Sequence, residues 1–172
     1  MKQIIDVEMK ARTVEPIVCK TDVLAVGHFS DAKGLDRIER ELNAALDGAI
    51  ERVIRLGDFK GKSGTSAVVY GNGEIAARRI LLVGLGEKKK ATLDTVRQAA
   101  AQAAKKSVAV RAEQLSLVLH RAFGGRFGLD AMGRAMAEGV CFGSYRYDEF
   151  VTRDESERLE SLKVELVDSD SA

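Results

Sequence analysis

Two short runs limit what this chain can fold into. "VLAVG" (23–27) and "RILLVG" (79–84) are apolar almost throughout, without a polar residue at every second place. A strand with one wet face alternates; a strand apolar on both faces needs cover on both. The chain is therefore expected to form a sheet with helices on either side. Further strands are expected at "QIIDV" (3–7), "SAVVYG" (66–71), "LSLVLH" (115–120) and "LKVELV" (162–167).

Three stretches carry the helical period. In 35–56, Leu35, Ile38, Leu42, Leu46, Ile50 and Val53 recur at steps of three and four, which predicts one helix, ended by Gly57 as a left-handed cap. In 92–107, Thr92 is placed to cap the N-terminus, and Asp94, Lys105 and Lys106 suit the helix dipole. In 130–143, Met132, Ala135, Met136, Val140 and Cys141 share a face. Ala131, Ala135, Gly139 and Gly143 form a row of small residues, expected to bring this helix close to the sheet. "GNGEIAA" (71–77) is suited to turn the chain back between antiparallel strands, since Asn-Gly favours a tight turn. The element order is then β-β-α-β-β-α-β-α-β. This is an α/β fold, a three-layer α/β/α arrangement with a mixed, mainly parallel sheet of about six strands.

The 172 residues suit a single domain, 1–172, with "DEFVTRDESERLES" (148–161) as a polar surface connection. A formal net charge of +1 excludes a whole-molecule field that would draw in nucleic acid or an anionic membrane. Cys19 and Cys141 have no metal-type spacing and are expected to be reduced, packed thiols. "MKQIIDVEMK" is too short and too charged for a signal peptide, and no apolar run reaches the length of a membrane span. A cytoplasmic location is expected.

"GDFKGKSG" (57–64) comes near a phosphate-binding P-loop. Only three residues separate Gly57 from Gly61, one too few, and the loop joins a helix to a strand in the reverse of the required order. Without a helix N-terminus behind them, its amides lack half of what holds a phosphate. "VGLGEKKK" (83–90) opens like a dinucleotide fingerprint, but Lys89 stands where the third glycine belongs, so a plain strand-to-helix turn is expected. In "FGGRFG" (123–128), Gly124, Gly125 and Gly128 could turn amides toward an anion at the start of the third helix; Asp130 is placed to cap those amides itself. His28 and His120 each follow a strand with no second ligand at metal spacing, and a surface or hydrogen-bonded role is expected for both. No catalytic motif stands out.

Four segments taken in order carry a resemblance: "TDVLAVGHF" (21–29), "RLGDFKGKSG" (55–64), "ARRILLVGLGEKKKATLDTVRQAAAQAA" (77–104) and "AMAEGVCFGSYRYDEF" (135–150). Together they resemble the N-terminal domain of the leucyl aminopeptidase (cytosol aminopeptidase) family, from about Thr21 to Phe150. The resemblance implies a macro-domain-like fold. It also implies a parent enzyme in which two divalent metals, zinc, manganese or magnesium, sit in a separate C-terminal catalytic domain and activate water against the first peptide bond. That domain's "NTDAEGR" signature does not occur in this sequence, and the chain ends at "VELVDSDSA", about where the family's linker begins. The catalytic half is therefore expected to be missing. The resemblance assigns no catalytic, cofactor-binding or metal residue here, and the chain alone is expected to be inactive.

The function so implied is a non-catalytic accessory domain that packs on its own catalytic domain and helps a homohexamer assemble, with peptides reaching only the catalytic domain. Some members of the family bind DNA through this region. Lys60, Lys62, Arg78, Arg79, Lys88, Lys89 and Lys90 are the candidates for such a basic patch, against a reading of scattered solvated charge. The alternative is a stand-alone macro-like module holding an anionic ligand or nucleic acid, with Gly124 and Gly125 in its phosphate loop. "GHFSDAKG" (27–34) lacks the Asn and glycines of the companion loop.

Overall fold

The computed structural model describes residues 5–145 and 159–169. One six-stranded sheet runs through them, with strand order β1-β6-β5-β2-β4-β3. The strands are β1 (Asp6–Thr13), β2 (Val23–His28), β3 (Ser66–Tyr70), β4 (Arg79–Gly84), β5 (Gln114–Leu117) and β6 (Ser161–Asp168). All neighbours are parallel except β3 and β4, which pair antiparallel across residues 71–78. The helices are α1 (Arg37–Ala45), α2 (Ala49–Leu56), α3 (Leu93–Ala109) and α4 (Leu129–Ser144). The sheet is mixed and mainly parallel, as expected.

The two apolar runs are its centre. Leu24 pairs with Ile80 and Val26 with Leu82, and these four side chains pack with Ile38 and Leu42 of α1, Leu46 just past its end and Ile50 of α2. The residues between them, Ala25, Leu81 and Val83, face the other way, into Ala100 and Ala103 of α3 and Met136 and Val140 of α4. A strand with an apolar side chain on both faces is covered on both, which is why β2 and β4 do not alternate.

The single helix expected over 35–56 is two. Asp47 (φ 51°) and Gly48 (φ 76°) both take the left-handed conformation, and Asn43 Oδ1 accepts from the amide of Glu51 (3.0 Å) at the restart. The apolar stripe survives the break, because Leu46 and Ile50 are both buried. Gly57 ends α2 with φ 83°. Of the first expected strand, 3–7, residues 3 and 4 lie outside the described residues; the strand observed is Asp6–Thr13, which runs on past residue 7. It is an edge strand, so its signal is alternation, Val7 and Met9 packing inward, rather than an apolar run. The fifth strand ends at Leu117 rather than residue 120, and Leu119–Phe123 coil into a 3-10 turn. At α3 the amide of Thr92 donates to Thr95 Oγ1 (3.0 Å).

The small-residue row of α4 faces α3, not the sheet. A Cβ on Gly139 would overlap the carbonyl of Arg97, and one on Gly143 the carbonyl of Ala101. Cys19 is buried, its Sγ donating to Ser116 Oγ (3.4 Å). Cys141 is exposed, contrary to expectation: one residue past Val140, it has turned about 100° out of the buried face. Most of the expected polar connection 148–161 lies outside the described residues; at its end, Ser161 already belongs to β6.

Candidate functional site

The parallel strands β2, β4 and β5 end on one edge of the sheet. Ligands of open α/β sheets bind in the crevice outside the carboxyl ends of such strands, where neighbouring connections diverge. Here the crevice is a cleft of about 310 Å3 at the end of β2, walled by Phe29, Asp31, Asp36 and Lys88. Its floor is a buried hydrogen-bonded pair. His28, the last residue of β2, holds Nδ1 2.7 Å from Oε1 of Glu39 in the first turn of α1; the two side chains are 7% and 2% exposed.

Glu39 is held there by the start of its own helix. Its Oε2 accepts from the amide of Asp36 (2.9 Å), and Asp36 Oδ1 accepts from the amide of Glu39 (2.8 Å). This reciprocal capping box satisfies two amides that α1 would otherwise leave open. Burial pushes the Asp36 carboxyl above its ordinary value, and the amide of Glu39 draws it part of the way back. Asp36-x-x-Glu39 was a readable helix start, whereas nothing in the linear order pointed to the His28–Glu39 pair.

The P-loop-like segment closes this edge from the side. The amide of Gly86 donates to Gly61 O (2.8 Å), Gly84 to Thr65 O (2.9 Å), Leu85 to His28 O (3.0 Å) and Ser30 to Gly86 O (2.8 Å). Gly61 (φ 65°) lies so close to the chain at Phe29 that a Cβ would stand 2.9 Å from His28 O. Its carbonyl, and that of Thr65, serve to bind neighbouring loops together.

The basic candidates fall at two ends of the sheet. Exposed Lys60, Lys62, Lys88, Lys89 and Lys90 belong to the loops at the β2 cleft edge. Lys88 donates its amide to Asp31 Oδ1 (2.9 Å) and sets Nζ 5.9 Å from the ring centre of Phe29, while Lys90 pairs with Glu87 (2.8 Å). Gly124 (φ 56°) and Gly125 (φ 77°) lie exposed in the adjoining turn, which Arg126 ties to the carbonyls of Lys88 and Lys89. Gly124 donates its own amide to Arg121 O (3.3 Å). Gly128 is the N-cap of α4 without a side-chain cap, so Asp130 does not play the capping part open to it. Arg78 and Arg79 are at the opposite end of β4, where Arg78 pairs with Asp22 (3.2 Å) and Arg79 lies over Tyr70 (6.0 Å). The length of β4, about 20 Å, separates the two groups.

His120 is buried in the 3-10 turn after β5, with Nε2 3.1 Å from Asp168 Oδ2. Among the described residues no three His, Cys, Asp or Glu side chains are grouped to hold a metal ion, and no helix is long and apolar enough to cross a membrane.

A mixed sheet in this order, with helices on both faces and a crevice beyond its central strand, defines a macrodomain-like α/β/α domain. The macrodomain of Mycobacterium tuberculosis DarG superimposes with a TM-score of 0.64 at 10% identity, covering 92% of this chain and 96% of its own. The chain belongs to the cytosol aminopeptidase family, whose N-terminal domain profile matches residues 25–154. A probable cytosol aminopeptidase of Geobacter sp. (strain M21) is 35% identical over 144 residues, 84% of this chain and 28% of that protein. A tomato leucine aminopeptidase mutant shares the fold with a TM-score of 0.76 at 21% identity, over all of this chain and 34% of its own. The chain spans under a third of the length of the curated relatives it matches.

Proposed function

We propose that this chain is the non-catalytic accessory domain of a cytoplasmic aminopeptidase, packing on a catalytic domain and supporting a homohexamer. Family membership and the relatives' greater length support this reading. The two divalent metals then belong to residues outside this chain, and its own side chains carry no step of the reaction. The single observation that speaks most against an independent anion-binding role is the make-up of the β2 cleft. Asp31, Asp36 and Glu39 all line it, and the Glu39 carboxylate is already held by His28 and the Asp36 amide. A pyrophosphate placed there would meet carboxylates where a phosphate loop offers amides.

The experiment compares this chain alone with the chain extended by whatever its reading frame encodes after Ala172, using leucine p-nitroanilide and manganese. Turnover is expected only from the extended protein. Metal-dependent turnover by the 172-residue chain that survives repurification overturns the accessory reading. A stop codon directly after Ala172 removes the peptidase role. Calorimetric titration of the chain with ADP-ribose is expected to give no heat; micromolar binding favours the ligand module instead.

A further inference from the structure

The sheet ends in two edge strands, and they are built differently. β1, at one edge, carries the exposed charged side chains Asp6, Glu8, Lys10 and Arg12. Charges along an edge strand keep other strands from pairing with it. β3, at the other edge, reads "SAVVY", without a charge or a proline.

The ladder to β4 fixes which backbone groups of β3 are used. The amide of Gly84 donates to Thr65 O (2.9 Å) and that of Gly71 to Arg78 O (3.3 Å), so residues 65, 67, 69 and 71 turn their backbone groups toward β4. Ser66, Val68 and Tyr70 therefore point their N–H and C=O groups off the sheet, and among the described residues these groups find no hydrogen-bond partner. Such a row is a template for one more strand.

This template is complementary to itself. A two-fold axis at Val68 brings a second copy alongside antiparallel, Val68 against Val68 and Ser66 against Tyr70, and each pair exchanges two hydrogen bonds. Side chains directly opposite on paired strands share a face. Ser66 faces α3, where Gln102 Nε2 lies 3.4 Å from its Oγ. Beside it is a cleft of about 350 Å3 lined by Gly64, Gln102, Lys105 and Phe142. Tyr70 of the second copy, opposite Ser66, falls at this cleft. In the single chain Tyr70 and Phe142 are 64% and 72% exposed, so one pairing covers both. The ends of the strand also suit an antiparallel copy. Exposed Lys62 precedes Ser66 and exposed Glu74 follows Tyr70, so each copy sets its Glu74 toward Lys62 of the other. Arg79, at the Tyr70 end, is held over the Tyr70 ring (6.0 Å).

We infer that β3 is a dimerisation edge, joining two copies of this chain antiparallel across Val68 so that their six-stranded sheets become one. The inference rests on this edge alone and not on the aminopeptidase reading, so either can fail without the other.

The test is sedimentation of the 172-residue chain from micromolar to millimolar concentration, with reductant to keep exposed Cys141 from cross-linking copies. A monomer–dimer equilibrium is expected. Amide hydrogen exchange, read residue by residue by NMR, identifies the edge. The amides of Ser66, Val68 and Tyr70 are expected to gain protection as the dimer forms, whereas those of Ala67 and Val69, already bonded to β4, are protected throughout. Tyr70→Ala, at an exposed position, is expected to weaken the dimer by about tenfold or more. Val68→Pro removes an outward amide that the β4 ladder does not use, and is expected to abolish the dimer while the fold is kept. A chain that stays monomeric at millimolar concentration overturns the inference. So does a dimer in which those three amides exchange as fast as in the monomer, or one that Tyr70→Ala leaves as tight as in the parent.

Discussion

His28 and Glu39 lie eleven residues apart on two elements, and their side chains meet at 2.7 Å with almost no exposure. The pair fastens α1 to the carboxyl end of the central strand. Its desolvation is offset because the second oxygen of Glu39 also has a donor, the Asp36 amide. Removing one partner of such a pair leaves the other buried and unsatisfied, a loss of about 1–3 kcal/mol. Glu39→Ala is expected to lose that much in urea unfolding. Glu39→Gln, which keeps an acceptor for the Asp36 amide, is expected to lose less, and a double-mutant cycle with His28→Ala is expected to show strong coupling. Additive losses in that cycle contradict the pairing.

His120 makes stability depend on pH. Burial first, then the charge of Arg121, lowers its pKa from 6.5 to about 4. Between those values the unfolded chain binds the proton and the folded chain does not, so stability rises with pH through the window and falls on acidification. The contribution is on the order of 2–3 kcal/mol above pH 6.5 and fades toward pH 4. Asp36 acts oppositely, since its raised carboxyl pKa favours the folded state at low pH. Urea midpoints of the parent and His120→Gln at pH 4.5 and 7 separate the two. The variant is expected to show a smaller loss on acidification; an unchanged loss removes His120 as its source.

What was legible in the chain follows from how local each signal is. The apolar runs of β2 and β4 carry their own burial, and the helical stripe of Leu42, Leu46 and Ile50 holds through the break. The break itself was written as Asp47-Gly48, a turn dipeptide outweighed by the strength of the stripe. The extension of β1 past residue 7 was missed because an edge strand buries one face and shows no long apolar run. The candidate cleft was hardest. Its lysines were found by charge, but their separation from Arg78 and Arg79 follows from strand direction. The His28–Glu39 contact depends on where α1 lands on the sheet.

Two glycines on α4 are expected to respond oppositely to alanine. A Cβ at Gly139 would overlap the Arg97 carbonyl and stand 2.9 Å from the Ala100 Cβ, so α3 and α4 must separate. Overpacking of this kind costs about 1–3 kcal/mol. At Gly133 a Cβ meets only Leu166 Cδ1, at 4.0 Å. Removing a glycine from a helix interior without a clash stabilises by about 0.5–1 kcal/mol. Thermal unfolding is expected to fall for Gly139→Ala and rise for Gly133→Ala. A fall in both would mean that α4 tolerates no added methyl, and the close approach at Gly139 would lose its special place.

The basic residues yield a final expectation. Lys60, Lys62 and Lys88–Lys90 occupy the β2 cleft edge, and Arg78 and Arg79 the far end of β4. Arg78 and Lys90 already pair with carboxylates, and the whole chain carries a formal net charge of only +1. Affinity for duplex DNA comes mainly from phosphates neutralised along one continuous surface. Two groups about 20 Å apart, interrupted by Asp22, Asp31 and Glu87, do not supply one. Fluorescence anisotropy with a labelled duplex at about 50 mM salt is expected to show no binding by this chain. If binding does occur and falls steeply with salt, charge reversal at Lys62 and Lys88 set against reversal at Arg78 and Arg79 identifies which end is responsible. An equal loss from both would mean that a single nucleic acid spans the sheet from end to end, and the reading of scattered surface charge would be wrong.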